Sequence, residues 1–430
     1  MKTAIVIGAG NRGTEYSEIL ASLGGKILAV AEPIAQRRKY LQEKYNISED
    51  LCLESWEGLF ERPKFADIAI IANMDRGHIA PTLAAIEKGY DILLEKPMAA
   101  TPEDCHRIAL AAERKGVTVL VCHVLRFTSF FRALKKLIDD GLIGKVMHIQ
   151  HAECVGNLHQ SHSFVRGNWR NSVESSCMIL TKSCHDMDIL AFLVGEKCRR
   201  VHSFGSLSYF RRENAPEGSP EFCIEGCPHS ESCYYYAPRV YLETYRKTLF
   251  AHAVAQKSDP SDEDIKEALK TTDYGRCVFK CNNDAVDHQT VNLEFESGAT
   301  ASFTMCAFNR GSRNLRIMGT DGELSANMGE DYITFFDFRT RKTSQISISE
   351  TVKDISAKGG HGGGDAAIVD ALLKRMDGDM SDKSICTIKE TYLNHLIAFA
   401  AEESRLKGSV IDLFEYEERI NRLTEEAENG

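Results

Sequence analysis

The chain opens on a pattern that few folds accommodate. A β-prone run, Thr3 to Ile7, leads at once into Gly8-Ala9-Gly10-Asn11-Arg12-Gly13. The next stretch, Glu15 to Leu23, has helical spacing, with Tyr16, Ile19, Leu20 and Leu23 on one stripe. A second β-prone run, Lys26 to Ala31, ends in Glu32. Strand, glycine loop, helix and strand in this order are the context that makes GxGxxG a dinucleotide-binding fingerprint. Gly8 permits the tight turn, Gly10 lets a pyrophosphate approach the backbone, and Gly13 lets helix and strand pack closely. The helix N-terminus offers N–H groups and a favourable dipole to phosphates. Glu32 stands where an acid accepts from the adenosine ribose hydroxyls and repels a 2′-phosphate. That favours NAD over NADP, with Arg37 and Arg38 as the counter-signal.

The alternation continues. Phe65 to Ala72 reads as a strand, His78 to Lys88 as a helix, Asp91 to Leu94 as a strand, Thr101 to Lys115 as a helix and Val117 to Cys122 as a strand. The fold class is therefore α/β, beginning with a doubly wound parallel sheet, which binds ligands at the carboxyl ends of its strands. Those ends carry Asn73, Asp75 and His78, then Glu95-Lys96-Pro97, then His123 and Arg126. From about residue 126 the rhythm stops. With 430 residues, too many for one ordinary core, the chain divides into a dinucleotide-binding domain at 1–125 and a substrate-binding and oligomerisation domain at 126–430.

In the second part, residues 176–194 read as a helix carrying His185 and Asp188 on one face. Strands are expected at 146–154, 287–295 and 299–306, with Gly298 in a hairpin turn, and again at 315–318 and 339–346. Successive strands with few helices imply a large, mostly antiparallel open sheet in an α+β domain. An open apolar face needs cover, so a homodimer or homotetramer is expected. The glycine-rich stretch 359–365 holds His361, a candidate for the substrate site, and Asp365 is placed as N-cap of the helix at 366–376. A cysteine-rich loop lies at 211–237. Its Cys223, Cys227 and Cys233, with His229, Cys277 or Cys281 as a fourth donor, are candidates for structural zinc or an iron–sulfur cluster; the alternative is a loop of reduced thiols.

Net charge excludes one class of partner. At −10 the chain lacks the Lys and Arg clusters that bind phosphate backbones, so no nucleic acid is expected. No stretch approaches 18 uncharged apolar residues, and the N-terminal run passes into the glycine loop without a cleavage signal. A cytoplasmic location follows as the expectation.

The glycine loop, Asn73-Met74-Asp75-Arg76-Gly77-His78 and above all Glu95-Lys96-Pro97 resemble the glucose-fructose oxidoreductase, inositol dehydrogenase and rhizopine-catabolism family. Lys182-Ser183-Cys184-His185-Asp186-Met187-Asp188, His361-Gly362-Gly363-Gly364-Asp365 and Glu402-Glu403-Ser404-Arg405 extend the resemblance. It implies that Gly8, Gly10, Asn11, Arg12, Gly13, Glu32, Asn73, His78, Glu95 and Lys96 hold the cofactor. Lys96 also reaches substrate, and His185 serves as base or hydrogen-bonds the substrate hydroxyl. Arg126, Lys182 and His361 are further substrate-site candidates. Many members carry an aspartate four residues before that histidine; here the position is Thr181. Either His185 acts with Lys96 alone, or Lys182 or an acid from elsewhere contributes. The implied activity is hydride transfer between NAD and a sugar, cyclitol or related polyhydroxy compound. The alternatives are NAD-dependent glycoside hydrolysis through transient sugar oxidation, and a non-catalytic dinucleotide-binding sensor.

Overall fold

The computed structural model describes residues 1–257, 259–352 and 361–429. Its first sheet has six strands, β1 (Thr3–Ile7), β2 (Lys26–Ala31), β3 (Cys52–Leu53), β4 (Ile68–Ile71), β5 (Asp91–Leu94) and β6 (Val119–Val121). They are ordered β3-β2-β1-β4-β5-β6, and every pairing is parallel. All four residues of β4 and all three of β6 are buried, as expected of strands covered by helices on both faces. The strand order reverses between β1 and β4, so a crevice opens beyond their carboxyl ends. Gly8 follows β1 there and Asn73 lies just past β4.

The second sheet has nine strands: β7 (Val146–Cys154), β8 (Cys198–Ser206), β9 (His288–Phe295), β10 (Thr300–Cys306), β11 (Ser312–Gly319), β12 (Gly322–Asn327), β13 (Tyr332–Asp337), β14 (Thr343–Ser347) and β15 (Ile411–Asp412). Their order is β14-β13-β12-β11-β7-β10-β9-β8-β15. Only β7 and β10 pair in parallel; the other pairings are antiparallel. In β9 the residues Gln289, Val291, Leu293 and Phe295 are buried while His288, Thr290 and Asn292 are exposed, the alternation of a sheet with one covered face. The covered face packs against the helices Cys184–Val194 and Ile388–Lys407, whose Leu190, Leu193, Leu396 and Ala400 join one core with Val291 and Phe303. Between β8 and β9 a long excursion forms a small core of its own around Tyr241, Val254, Ile265 and Leu269. Among the described residues no helix is long and apolar enough to cross a membrane.

Three sequence expectations are corrected. The strand at 339–346 is in truth the end of a hairpin: β13 stops at Asp337, whose carboxylate accepts from the N–H of Arg339 at 2.8 Å and the hydroxyl of Thr340 at 2.9 Å. Such a side-chain-to-backbone turn reverses the chain before β14. The helix at 176–194 is broken into Met178–Thr181 and Cys184–Val194, with Lys182 and Ser183 in a turn between them. Asp365 is not an N-cap. Gly363, at φ +90°, caps the helix Gly364–Met376, and a Cβ at Gly364 would lie 2.3 Å from the carbonyl oxygen of Val124.

Candidate active site

The glycine loop is fixed by contacts that no larger residue tolerates. Gly8 sits at φ +88°, and a Cβ there would be 2.6 Å from the backbone nitrogen of Asn73. A Cβ at Gly13 would lie 1.9 Å from the carbonyl oxygen of Gly8. Gly10, by contrast, faces open space: its Cβ would meet only the Arg37 guanidinium, at 3.9 Å. Two glycines thus serve the fold and the third leaves a cradle, as a pyrophosphate requires. Asn11 opens the first helix and is exposed. Glu32 is 4% exposed; its carboxylate accepts from the N–H of Ala9 at 2.7 Å and of Ile34 at 2.9 Å. Arg38 is committed to the carbonyl oxygens of Glu32 and Pro33 and to Glu54. The Oδ1 atom of Asn73 is buried without a hydrogen-bond partner, while its amide donates to the carbonyl of Gly77 at 2.8 Å. An orphaned buried acceptor beside an open glycine cradle fits a dinucleotide.

The end of β5 is held rigidly. Glu95 accepts from Arg12 Nε at 2.7 Å, from the Tyr16 hydroxyl at 2.8 Å and from the N–H of Lys96 at 2.8 Å. Burial opposes its ionisation, but Arg12 and Lys96 outweigh burial and hold its carboxyl below the usual range. Arg12 also meets Glu15 at 2.7 Å and Asp365 at 2.5 Å. Its guanidinium is turned inward onto carboxylates, which places it beneath the loop and not on the cradle. The ring nitrogens of His78 face the carbonyl oxygens of Pro97 at 2.7 Å and Asn73 at 3.0 Å. His78 therefore braces the Lys96–Pro97 segment, whose peptide bond is cis.

Lys96 points across to the second domain, where its Nζ donates to the carbonyl oxygen of Thr181 at 2.8 Å. Thr181 precedes His185 by four residues. His185 is 6% exposed, with its ring 5.9 Å from that of His123. Burial pushes His123 below the ordinary histidine value. Behind it, His395 accepts from the N–H of Met98 at 3.0 Å and donates to the carbonyl of Thr391 at 2.9 Å; burial pushes it down to about 3. Arg126 forms a buried two-bond pair with Asp188, at 2.6 and 2.8 Å, and Asn394 donates to the same carboxylate. The arrangement makes Arg126 a brace for the His185 helix. Lys182 lies 3.0 Å from Glu153, which in turn meets Arg313 at 2.5 Å; Arg313 donates to Asp186 at 2.8 Å, and His151 meets the same Asp186 oxygen at 2.7 Å. Lys182 is thereby tied into a charged network flanking the helix. His361 opens a short turn, but its side chain lies outside the described residues.

Glu153 and Arg313 are the residues that sequence reading missed. The signal was present: His151 and Glu153 share the inward parity of Ile149 along β7, as Arg313 shares that of Leu315 and Ile317 along β11. A charge on a core-facing parity needs a partner. Cys223, Cys227 and Cys233 are free thiols, and among the described residues no group of three or more His, Cys, Asp or Glu side chains is arranged to hold a metal ion. The Cys223 sulfur instead accepts from the buried Arg166 guanidinium at 3.6 Å, and His229 meets the carbonyl of Glu217 at 2.8 Å.

Comparison with known proteins agrees with this architecture. Residues 2–123 match the model of an oxidoreductase family with an NAD-binding Rossmann fold, and residues 135–413 match the C-terminal alpha/beta domain of the same family. The chain is 26% identical over 326 residues to the putative oxidoreductase YteT of Bacillus subtilis, covering 72% of this chain and 73% of that protein. It is 29% identical over 198 residues to 2,7-anhydro-N-acetylneuraminate hydratase of Mediterraneibacter gnavus, covering 45% of this chain and 50% of that one. Among solved structures, levoglucosan dehydrogenase in complex with NADH and levoglucosan superposes with a TM-score of 0.68 at 18% identity, over 96% of this chain and 99% of that one.

Proposed function

Because the chain belongs to this oxidoreductase family with its NAD-binding Rossmann fold, we propose that it oxidises a sugar, cyclitol or related polyhydroxy compound reversibly with NAD. A bound nicotinamide supplies the hydride acceptor. Gly8 and Gly13 would shape the loop, Gly10 would leave room for the pyrophosphate of the dinucleotide, Glu32 would face its adenosine ribose, and Asn73 presents its unpartnered carbonyl beside them. The observation that carries the reading is the anchoring of Lys96 on the carbonyl of Thr181, four residues before His185 in the chain. Removal of hydride from a carbinol carbon needs a base for the hydroxyl proton and a cation where the carbonyl oxygen forms. His185 takes the proton on its imidazole, and the Lys96 ammonium steadies the oxygen. NAD is preferred to NADP because Glu32 closes the end of β2 and Arg38 is already engaged by Glu54 and two carbonyls. The polyhydroxy class is supported by two relatives whose names specify an anhydro sugar acid and levoglucosan. A homo-oligomer formed through the open sheet face, where Phe204 is 60% exposed, completes the reading and is checked by light scattering.

The test is NADH formation at 340 nm with a panel of sugars, cyclitols and glycosides, with products analysed in the same samples. Turnover of one polyol, reduced about 10²–10⁴-fold in His185→Ala and in Lys96→Met, is the expected result. The similarity to a hydratase gives one specific reason for a second reading, transient oxidation followed by elimination. That reading requires product release from a glycoside or anhydro sugar without net NADH. Neither signal from a protein that binds NAD would leave a sensor and overturn both.

A further inference from the structure

Asp75 is placed unusually for a loop residue of a cofactor domain. It follows β4, is 5% exposed, and forms no ion pair among the described residues. Its carboxylate instead gathers donors from the second domain. Oδ1 accepts from Trp169 Nε1 at 3.2 Å; Oδ2 accepts from the hydroxyl of Ser175 at 3.1 Å and from one of the paired hydroxyls of Ser176, at 3.2 Å, and Thr181, at 3.3 Å. Ser176 and Thr181 are also joined to one another, at 2.5 Å between their hydroxyl oxygens. Thr181 thus has two functions at once. Its hydroxyl belongs to the Ser176–Thr181 pair that donates to Asp75, one of the two directly and the other through its neighbour, while its carbonyl accepts from the Lys96 ammonium at 2.8 Å.

From this we infer that Asp75 is the positioning residue for Lys96. It fixes the 175–181 segment from the opposite domain, so that the Thr181 carbonyl holds the ammonium at the site. A packing role alone would not require a carboxylate with three polar donors from one segment. Burying it is costly, and the cost is offset only if its direction matters. Asp75 thus acts on Lys96 from the β4 loop of the first domain, through Thr181. This rests on the assignment of Lys96 proposed above.

Position and catalysis are read separately in the full-length protein. Lys96 is labelled with acetic anhydride and its modification rate followed by mass spectrometry against the exposed Lys39. In Asp75→Asn the Lys96 rate rises several-fold while Lys39 is unchanged. In the double variant Asp75→Asn/Thr181→Asp, which returns a carboxylate within about one hydrogen-bond length of the original, the Lys96 rate returns toward wild type. With the polyol that supports turnover, Asp75→Asn lowers kcat about 10²-fold at unchanged Kd for NAD, and the double variant recovers most of it. Unchanged Lys96 labelling in Asp75→Asn overturns the inference even if Lys96→Met is inactive. Equal impairment of the single and double variants overturns it too, since Asp75 would then only join the domains. If labelling responds as expected but Lys96→Met retains full turnover, the positioning holds while the catalytic assignment of Lys96 fails.

Discussion

Replacing Gly13 by alanine would drive a methyl group to within 1.9 Å of the Gly8 carbonyl oxygen. Backbone cannot swing aside as a flexible side chain does, so the helix must separate from β1. The expected cost is about 1–3 kcal/mol, with NAD affinity falling in parallel; urea unfolding and an NAD titration on the same variant check both. Gly10→Ala separates the two effects, because its Cβ meets nothing closer than 3.9 Å in the protein. It should leave stability near wild type and weaken NAD alone. At Arg126, truncation to Met strands the Asp188 carboxylate in the core and should cost about 3–5 kcal/mol, read from the same unfolding curves. Residues whose geometry depends on near neighbours in the chain were legible in advance, as the glycines and Glu95-Lys96-Pro97 illustrate. Arg126 and Arg12 were not. Their partners Asp188 and Asp365 lie 62 and 353 positions away, and no spacing rule connects them.

Periodicity was a sound guide to the elements wherever one face of a strand is buried. The hairpin of β9 and β10 emerged with Gly298 in its turn at φ +86°. A Cβ at Gly298 would touch nothing within 4 Å, so Gly298→Ala isolates backbone strain. The expected destabilisation is about 1–2 kcal/mol, measured by urea unfolding; a neutral result would mean the turn relaxes. Periodicity failed where side chains rewrite the backbone. Asp337 turns the chain between β13 and β14, and a turn at Lys182 and Ser183 interrupts the helix before His185. Apolar spacing carries no information about either. The parallel pairing of β7 with β10, inside a sheet otherwise antiparallel, was equally hidden, because alternation along a strand does not name its neighbour.

The whole molecule carries an acid sensitivity written into its buried polar groups. Burial pushes His159, His162 and His395 down to about 3, against roughly 6.5 for an unfolded histidine. The unfolded chain then binds more protons than the native one throughout that interval. Stability contributed by these groups is present in full above pH ~6.5 and drains as pH falls toward the native values. A second loss follows at lower pH. Burial opposes ionisation of Asp186 and Asp188, but Arg313 and Arg126 outweigh it and depress both carboxyls. Their contribution is present above the unfolded value of about 3.9 and is lost as pH falls through the native ones. Calorimetry from pH 7.5 to 4 should record a falling melting temperature from about pH 6.5 downward; a flat profile between pH 7 and 5 would contradict the neutral state of the three histidines. Chain length and the change of rhythm near residue 126 announced an α/β sheet followed by a second, mostly antiparallel one. The strand order and the contacts between the two depend on packing between distant segments.

The link from Arg12 to Asp365 also sets a timetable. During synthesis the first sheet is complete once residue 121 has emerged, because all six of its strands lie before that point. Yet the arginine inside the phosphate loop waits for a carboxylate that leaves the ribosome more than two hundred residues later. A nascent chain halted short of residue 365 can therefore build the sheet, but it holds its glycine loop with one ionic anchor missing. The loop becomes fully braced only after Asp365 has emerged.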